Sequence, residues 1–131
     1  MSNIPSDLHY AKSHEWVRIA QDGTAEIGIS EHAQSALGDL VFVEVPEVGR
    51  VLQAGEACAV VESVKAASDV YSPVAGKVIA TNTALTTQPE LLNQDPYGAG
   101  WLFRIQTSSP TNEASLMNSA DYANYLADEA G

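Results

Sequence analysis

The sequence predicts a mainly β fold, a small sandwich or barrel with helical additions, and three observations carry that expectation. Short segments rich in Val, Ile and Thr recur from Glu15–Ile19 to Trp101–Gln106. Turn signals built on Gly, Pro, Asp and Ser separate them. Helical spacing is confined to a short stretch after Ser30, one turn near Pro89 and the tail.

At 131 residues the chain is expected to be one domain, 1–131, with a modest core. A hydrophobic fraction of 45% marks it as globular. Six Lys+Arg stand against 17 Asp+Glu, a net charge of −11, which argues against nucleic acid as a partner. It favours a soluble monomer that meets its partners through acidic surface. Cys58 is the only cysteine, which excludes an internal disulfide and a multi-cysteine zinc site. Within Ala57-Cys58-Ala59-Val60-Val61 it reads as a core thiol rather than a nucleophile. The first residues show neither the basic nor the apolar region of a signal peptide, and no run approaches the roughly 20 apolar residues of a membrane helix. The expected location is cytoplasmic, with no membrane partner.

Taken in order, Glu15–Ile19 alternates as a strand, and Asp22-Gly23 is a hairpin signal leading to Thr24–Ile29. Ser30 is placed to cap a short helix, Glu31–Leu37, which has Ala33 and Leu37 on one face and Gly38 as its stop. Leu40–Val45 reads as a strand ended by Pro46, and Arg50–Leu52 as a shorter one. Ala57–Val64 and Ser68–Ser72 form a hairpin region spanning about 57–73, followed by a turn at Pro73–Gly76 and a strand at Lys77–Thr81. Residues 82–100 read as a loop with a helical turn at Pro89–Asn93. After the strand Trp101–Gln106, Ser109-Pro110 opens helices expected over about 110–129, with Leu116, Ala120, Ala123 and Leu126 on one face. Gly49-Arg50-Val51 and Gly76-Lys77-Val78 hint at two similar halves about the hairpin.

Few residues suggest catalysis. No nucleophile elbow is present, since Ser63 is followed by Val64-Lys65. His9, His14 and His32 lack the spacing of a helical zinc site, and no glycine-rich phosphate loop occurs. No catalytic or metal-binding residue is assigned. Lys65 stands apart. It is one of three lysines, and the break between two β-prone segments places it at a hairpin apex. Its neighbours Val64, Ala66 and Ala67 are small or apolar, and the turn carries none of the Gly, Asn, Asp or Pro that turns usually recruit. An amine on a rigid tip suits a modifying enzyme, and a cofactor linked there becomes a tethered arm with high effective concentration.

Glu62-Ser63-Val64-Lys65-Ala66-Ala67-Ser68-Asp69, followed by Tyr71-Ser72-Pro73-Val74-Ala75-Gly76, resembles the lipoyl-attachment motif of the glycine cleavage system H-protein family. The resemblance continues through Ser13-His14-Glu15-Trp16, Gly28–Gln34, Leu37-Gly38-Asp39, Val41–Glu44, Pro46–Gly49, Asn93, Pro96-Tyr97 and Gly100-Trp101. It covers nearly the whole chain, the last twenty or so residues being least distinctive.

The resemblance implies a flattened β-barrel/sandwich hybrid of lipoyl-domain type and a non-catalytic carrier. Lipoate would be amide-linked to Lys65, with Glu62, Ser63, Val64, Ala66 and Asp69 as the attachment context. A pyridoxal-phosphate glycine decarboxylase (P protein) would load an aminomethyl group on the arm. An aminomethyltransferase (T protein) would pass the one-carbon unit to tetrahydrofolate, and dihydrolipoamide dehydrogenase (L protein) would reoxidise the dithiol. A lipoate ligase or a lipoyl/octanoyl transferase would install the cofactor. The resemblance also implies a cleft where the loaded arm rests. A buried cationic end needs a partner, and Ser13, Glu15 and His32 are the candidates, with Asp69 near the root of the arm.

Other readings stay open at this level. An H-like carrier could serve lipoyl relay or another lipoate-dependent pathway. The lipoyl domain of a 2-oxoacid dehydrogenase acyltransferase usually adjoins linkers and larger domains, and a biotin carrier usually flanks its lysine with methionine. A binding β domain with an unmodified Lys65 is the alternative of a different class.

Overall fold

The structure, a computed structural model, describes residues 8–11, 14–19, 23–53, 55–64, 66–107 and 116–130, and of 128–130 the backbone only. Its strands are β1 His9–Tyr10, β2 Glu15–Ile19, β3 Thr24–Ile29, β4 Leu40–Glu44, β5 Val51–Leu52, β6 Ala57–Ser63, β7 Ala67–Tyr71, β8 Gly76–Thr81 and β9 Phe103–Thr107. The helices are α1 Glu31–Leu37, α2 Ala84–Thr87, α3 Leu91–Gln94 and α4 Ser119–Ala130. Six strands form one sheet in the order β1-β2-β3-β9-β8-β5, and β4-β6-β7 form the other. All the strand pairs are antiparallel, and for the hairpins β2–β3 and β6–β7 the short connections demand it. Neither sheet closes on itself, so of the expected hybrid the sandwich side prevails.

One core joins the two sheets. Val17, Ile27, Val78, Phe103 and Ile105 from the larger sheet pack with Leu40, Val43, Val61 and Val70 from the smaller. Each such side chain is nearly sealed from water, which stabilises the fold by about 1.5–3 kcal/mol per residue. A second cluster lies beside it, where Leu8, Tyr10 and Trp16 meet Tyr122 of α4. Trp16 pairs across the ladder with Gly28, and its indole lies over that residue. A Cβ there would stand 2.6 Å from the ring, so only glycine leaves room.

Helix α1 forms where its caps are written. Ser30 is extended (φ −71°, ψ 165°) and its Oγ accepts from the Ala33 N–H. Gly38, at φ +89°, ends the helix by donating its N–H to Gln34 O. Glu31 in the first turn suits the helix dipole. Residues Gly49–Val51 and Gly76–Val78, read as similar halves, lie against each other: Val51 pairs with Lys77, and Gly49 N–H donates to Val78 O.

Several elements differ from expectation. Strand β4 stops at Glu44, one residue early, and β1 and α2 were not foreseen. Both are held from outside: β1 bridges Met117, and α2 is pinned by the sealed Leu85. The C-terminal helix begins at Ser119, because Asn118 Oδ1 caps the Asp121 N–H. Residues 116–118 are therefore not helical. The buried position of α4 is Tyr122, with Tyr125 and Leu126 beside it, whereas Ala120 and Ala123 are exposed. The expected helix start at Ser109-Pro110 lies outside the described residues, as does Asp22.

Candidate functional site

Strands β6 and β7 form the hairpin that the sequence places around Lys65. Val60 faces Asp69, Val61 faces Ser68 and Glu62 faces Ala67. Alternation turns Val61 and Ser63 inward, while Glu62, Ala67 and Asp69 are exposed on the outer face. Lys65 itself lies outside the described residues, and so does Ser13.

The residues bracketing position 65 explain the unusual turn composition. Ser63 N–H donates to Ala66 O at 2.7 Å, Ser63 Oγ donates to the same carbonyl at 3.2 Å, and Ala66 N–H donates to Ser63 Oγ at 3.0 Å. One buried hydroxyl thus does locally what an Asn or Asp side chain does in other turns. Val64 and Ala66 are left exposed and small. Val64 N–H donates to Asp39 O, tying the turn to the residue before β4.

That corner is clamped from below by Asn93 of α3. Its Oδ1 accepts from Leu40 N–H, and its Nδ2 donates to Gln34 Oε1 and Gly38 O, all at 2.8–2.9 Å. One side chain thereby joins the end of α1, the start of β4 and α3. Its role was not anticipated, although Asn93 belongs to the quoted motif.

The structure separates the cleft candidates. Glu15 is buried at 2% exposure, and its Oε2 accepts from Tyr71 N–H at 3.2 Å. The contact joins β2 of the larger sheet to β7 at the edge of the smaller, two residues from Asp69. His32 is half-buried and packs on His14 instead, ring centroids 4.9 Å apart. His14 is held in the left-handed region at φ +77°. Its Nδ1 shares a hydrogen bond of 2.8 Å with Tyr122 Oη, which also pairs with Ser30 Oγ at 2.7 Å. Tyr122 stacks flat on Tyr10, and Tyr125 lies tilted to His14. Sequence spacing of Tyr122 with Tyr125 and Leu126, three and four residues on, was the signal for this latch.

Asp69 is exposed and borders a groove of about 740 Å3 that Glu44, Pro46, Val48, Arg50 and Val60 also line. Cys58 is inert: burial pushes its thiol up to about 12, so it stays protonated at neutral pH. The three arginines are all paired, Arg18 and Arg104 with Glu26 and Arg50 with Glu56. No cluster of metal-ligating side chains occurs among the described residues. The arrangement is a rigid hairpin mount rather than a constellation of reacting groups.

Comparison with known proteins gives one consistent result. The family model described as glycine cleavage H-protein matches residues 8–129. The glycine cleavage system H protein of Azoarcus sp. (strain BH72) is 56% identical over 128 residues, covering 98% of this chain and 100% of that protein. That of Pseudoalteromonas translucida (strain TAC 125) is 58% identical over 126 residues, 96% of this chain and 98% of its own. The crystal structure of a glycine cleavage system H protein from Mycobacterium marinum superposes with a TM-score of 0.88 at 43% identity, covering 95% of this chain and 99% of that one.

Proposed function

The chain belongs to the glycine cleavage H-protein family, and we propose that within it Lys65 is the residue that bears the lipoyl group. The family's members are lipoyl carriers, so the protein is a carrier subunit and not a catalyst. Lipoate is its covalent cofactor, and the P, T and L proteins of the glycine cleavage system are its partners.

The hairpin is the observation that supports Lys65. It is closed by Ser63 and Ala66, and the flanking Val64, Ala66 and Ala67 are exposed, so the turn faces solvent where an enzyme can reach it. These residues fit a covalently attached arm. Once attached, lipoate supplies a redox-active dithiolane that holds a one-carbon amine in transit. Everything else is support: Ser63 shapes the turn, Asn93 fixes the corner beneath it, and Glu15 ties β7 to the larger sheet. Glu62 is the proposed recognition residue for the attaching enzyme, with Ser63, Val64, Ala66 and Asp69 completing the context. Ser13, Glu15 and His32 are proposed to serve the cleft where the arm rests. The contact of Glu15 with Tyr71, two residues from Asp69 near the root of the arm, is what supports that reading.

The same proposal takes 1–131 as a single carrier domain, supported by the one core that both sheets share. No helix among the described residues is long and apolar enough to cross a membrane. A cytoplasmic location is part of the proposal, and fractionation of a native extract checks it.

Intact and peptide mass spectrometry of protein from a lipoate-supplied host tests the assignment. The parent gains one lipoyl group on the peptide containing Lys65, and Lys65→Arg gains none. A lipoyl group that persists in Lys65→Arg refutes it. Glycine–bicarbonate exchange with glycine decarboxylase then separates the glycine cleavage role from a lipoyl relay, which would leave exchange at background.

A further inference from the structure

Strand β4 carries one residue more than its partner. Leu40 pairs with Ser63 and Phe42 with Glu62, so Val41 is the extra residue of a bulge. Bulges re-aim side chains, and this one breaks the alternation of the strand. Leu40 and Val43 are buried, while Val41 and Phe42 between them are 55% and 47% exposed. Val64, 75% exposed, lies at the same end of the sheet, held to Asp39 by its backbone. Three large apolar side chains are therefore turned to solvent around the turn that contains position 65, in a chain of net charge −11.

Carboxylates rim this apolar surface. Glu62 stands opposite both Phe42 and Ala67, Glu44 and Asp69 stand on either side of Val60, and Asp39 adjoins Val64 through the backbone bond. All four acids are exposed, and none is in an ion pair with a described residue. The arginines, paired with Glu26 and Glu56, do not neutralise them.

We infer that Val41, Phe42 and Val64, with their acidic rim, form a docking collar for the enzyme that attaches lipoate. That enzyme's entrance presents an apolar lip ringed by basic side chains. The inference rests on Lys65 being the attachment residue, and the occupant follows from reach. A lysine amine stands on only a four-carbon stem, so the modifying active site must close on the surface immediately around the turn. Enzymes that meet the far end of the finished arm need not approach so near. A buried apolar centre within a charged rim is the usual anatomy of such a contact, the charges setting encounter rate and orientation.

The test is steady-state lipoylation of the apo-protein by a lipoate ligase with ATP and lipoate. Phe42→Ser and the double variant Val41→Ser/Phe42→Ser are compared with Phe42→Leu and with Val51→Ser, an apolar residue on the other sheet that is more exposed still, at 64%. The expected result is a KM raised roughly five- to thirtyfold by Phe42→Ser at unchanged kcat. Phe42→Leu and Val51→Ser stay near the parent, and the parent's kcat/KM falls as salt rises. Matching melting curves and the Phe42→Leu rescue separate a lost contact from a lost fold. If the parent is lipoylated at Lys65 and Phe42→Ser matches it, the collar is wrong while the attachment assignment stands. A kcat/KM indifferent to salt removes the basic ring. A parent that gains no lipoyl group at Lys65 overturns both readings.

Discussion

Tyr122→Phe removes one oxygen and cuts two hydrogen bonds, a part-buried one to His14 Nδ1 at 2.8 Å and a buried one to Ser30 Oγ at 2.7 Å. The ring stays, and with it the flat stacking on Tyr10 at 4.5 Å, so the loss is polar rather than a cavity. A hydrogen bond contributes about 1 kcal/mol net, and a buried partner left unsatisfied costs about 1–3 kcal/mol. Ser30 Oγ keeps the Ala33 N–H it caps, and His14 is only half-buried, so the loss is that of two hydrogen bonds rather than of an orphaned buried group. The expected destabilisation is about 1–2 kcal/mol, a sizeable part of a typical total of about 5–15 kcal/mol. In urea, where m is about 1–3 kcal/mol per molar for a small protein, the midpoint falls by roughly 0.3–2 M at unchanged m. Tyr122→Ala also empties the pocket and costs about 3–5 kcal/mol. Lipoylation of Lys65 in the still-folded Tyr122→Phe protein is expected to proceed at the parent rate, because His14, Ser30 and Tyr10, which the latch engages, all lie outside the hairpin strands. Urea curves of Tyr122→Phe and the parent that coincide within about 0.5 kcal/mol, the scatter of an ordinary surface change, would refute the latch.

Two further outcomes follow from the site. Asn93→Ala breaks three hydrogen bonds at the corner beneath the turn and orphans the Leu40 N–H; urea unfolding should show a loss of about 2–4 kcal/mol. Cys58 titrates at about 12 in the fold against an ordinary value of 9.0. The folded state therefore holds its proton where the unfolded state gives it up, and the stability contribution is complete below about pH 9 and lost as pH rises towards 12. Cys58→Ala should flatten that alkaline decline, and in the native parent the thiol should resist a disulfide reagent at pH 8 until denaturant is added.

What the sequence disclosed, it disclosed where causes are local. Helix α1 was legible because Ser30 and Gly38 sit at its two ends, and each acts within four residues. The hairpin strands were legible because alternation is a local pattern. β1 and α2 were not, since Met117 and the burial of Leu85, rather than their own propensities, hold them in place. The tail was read from its aliphatic residues, whereas the contact is made by Tyr122, whose hydroxyl has its partners near residues 14 and 30. The turn seemed to lack turn chemistry because the search covered its centre, while the working residue, Ser63, is the last of β6. Glu15 was read as a cleft candidate, but its contact with β7 could not be read, because sequence distance conceals it.

The engaged arginines carry a consequence for a molecule that must be handed from one enzyme to the next. With Arg18 and Arg104 folded onto Glu26 and Arg50 onto Glu56, half of the chain's six cationic side chains are already engaged within the fold. Neighbouring copies, each at −11, push one another apart. A concentrated pool of carriers then stays dispersed instead of clustering. Ions in the surrounding solution weaken each attractive encounter beyond about 8–10 Å, so contacts that rest on charge dissolve readily after the cargo has changed hands. Easy departure, as much as recognition, is built into where this chain spends its few cations.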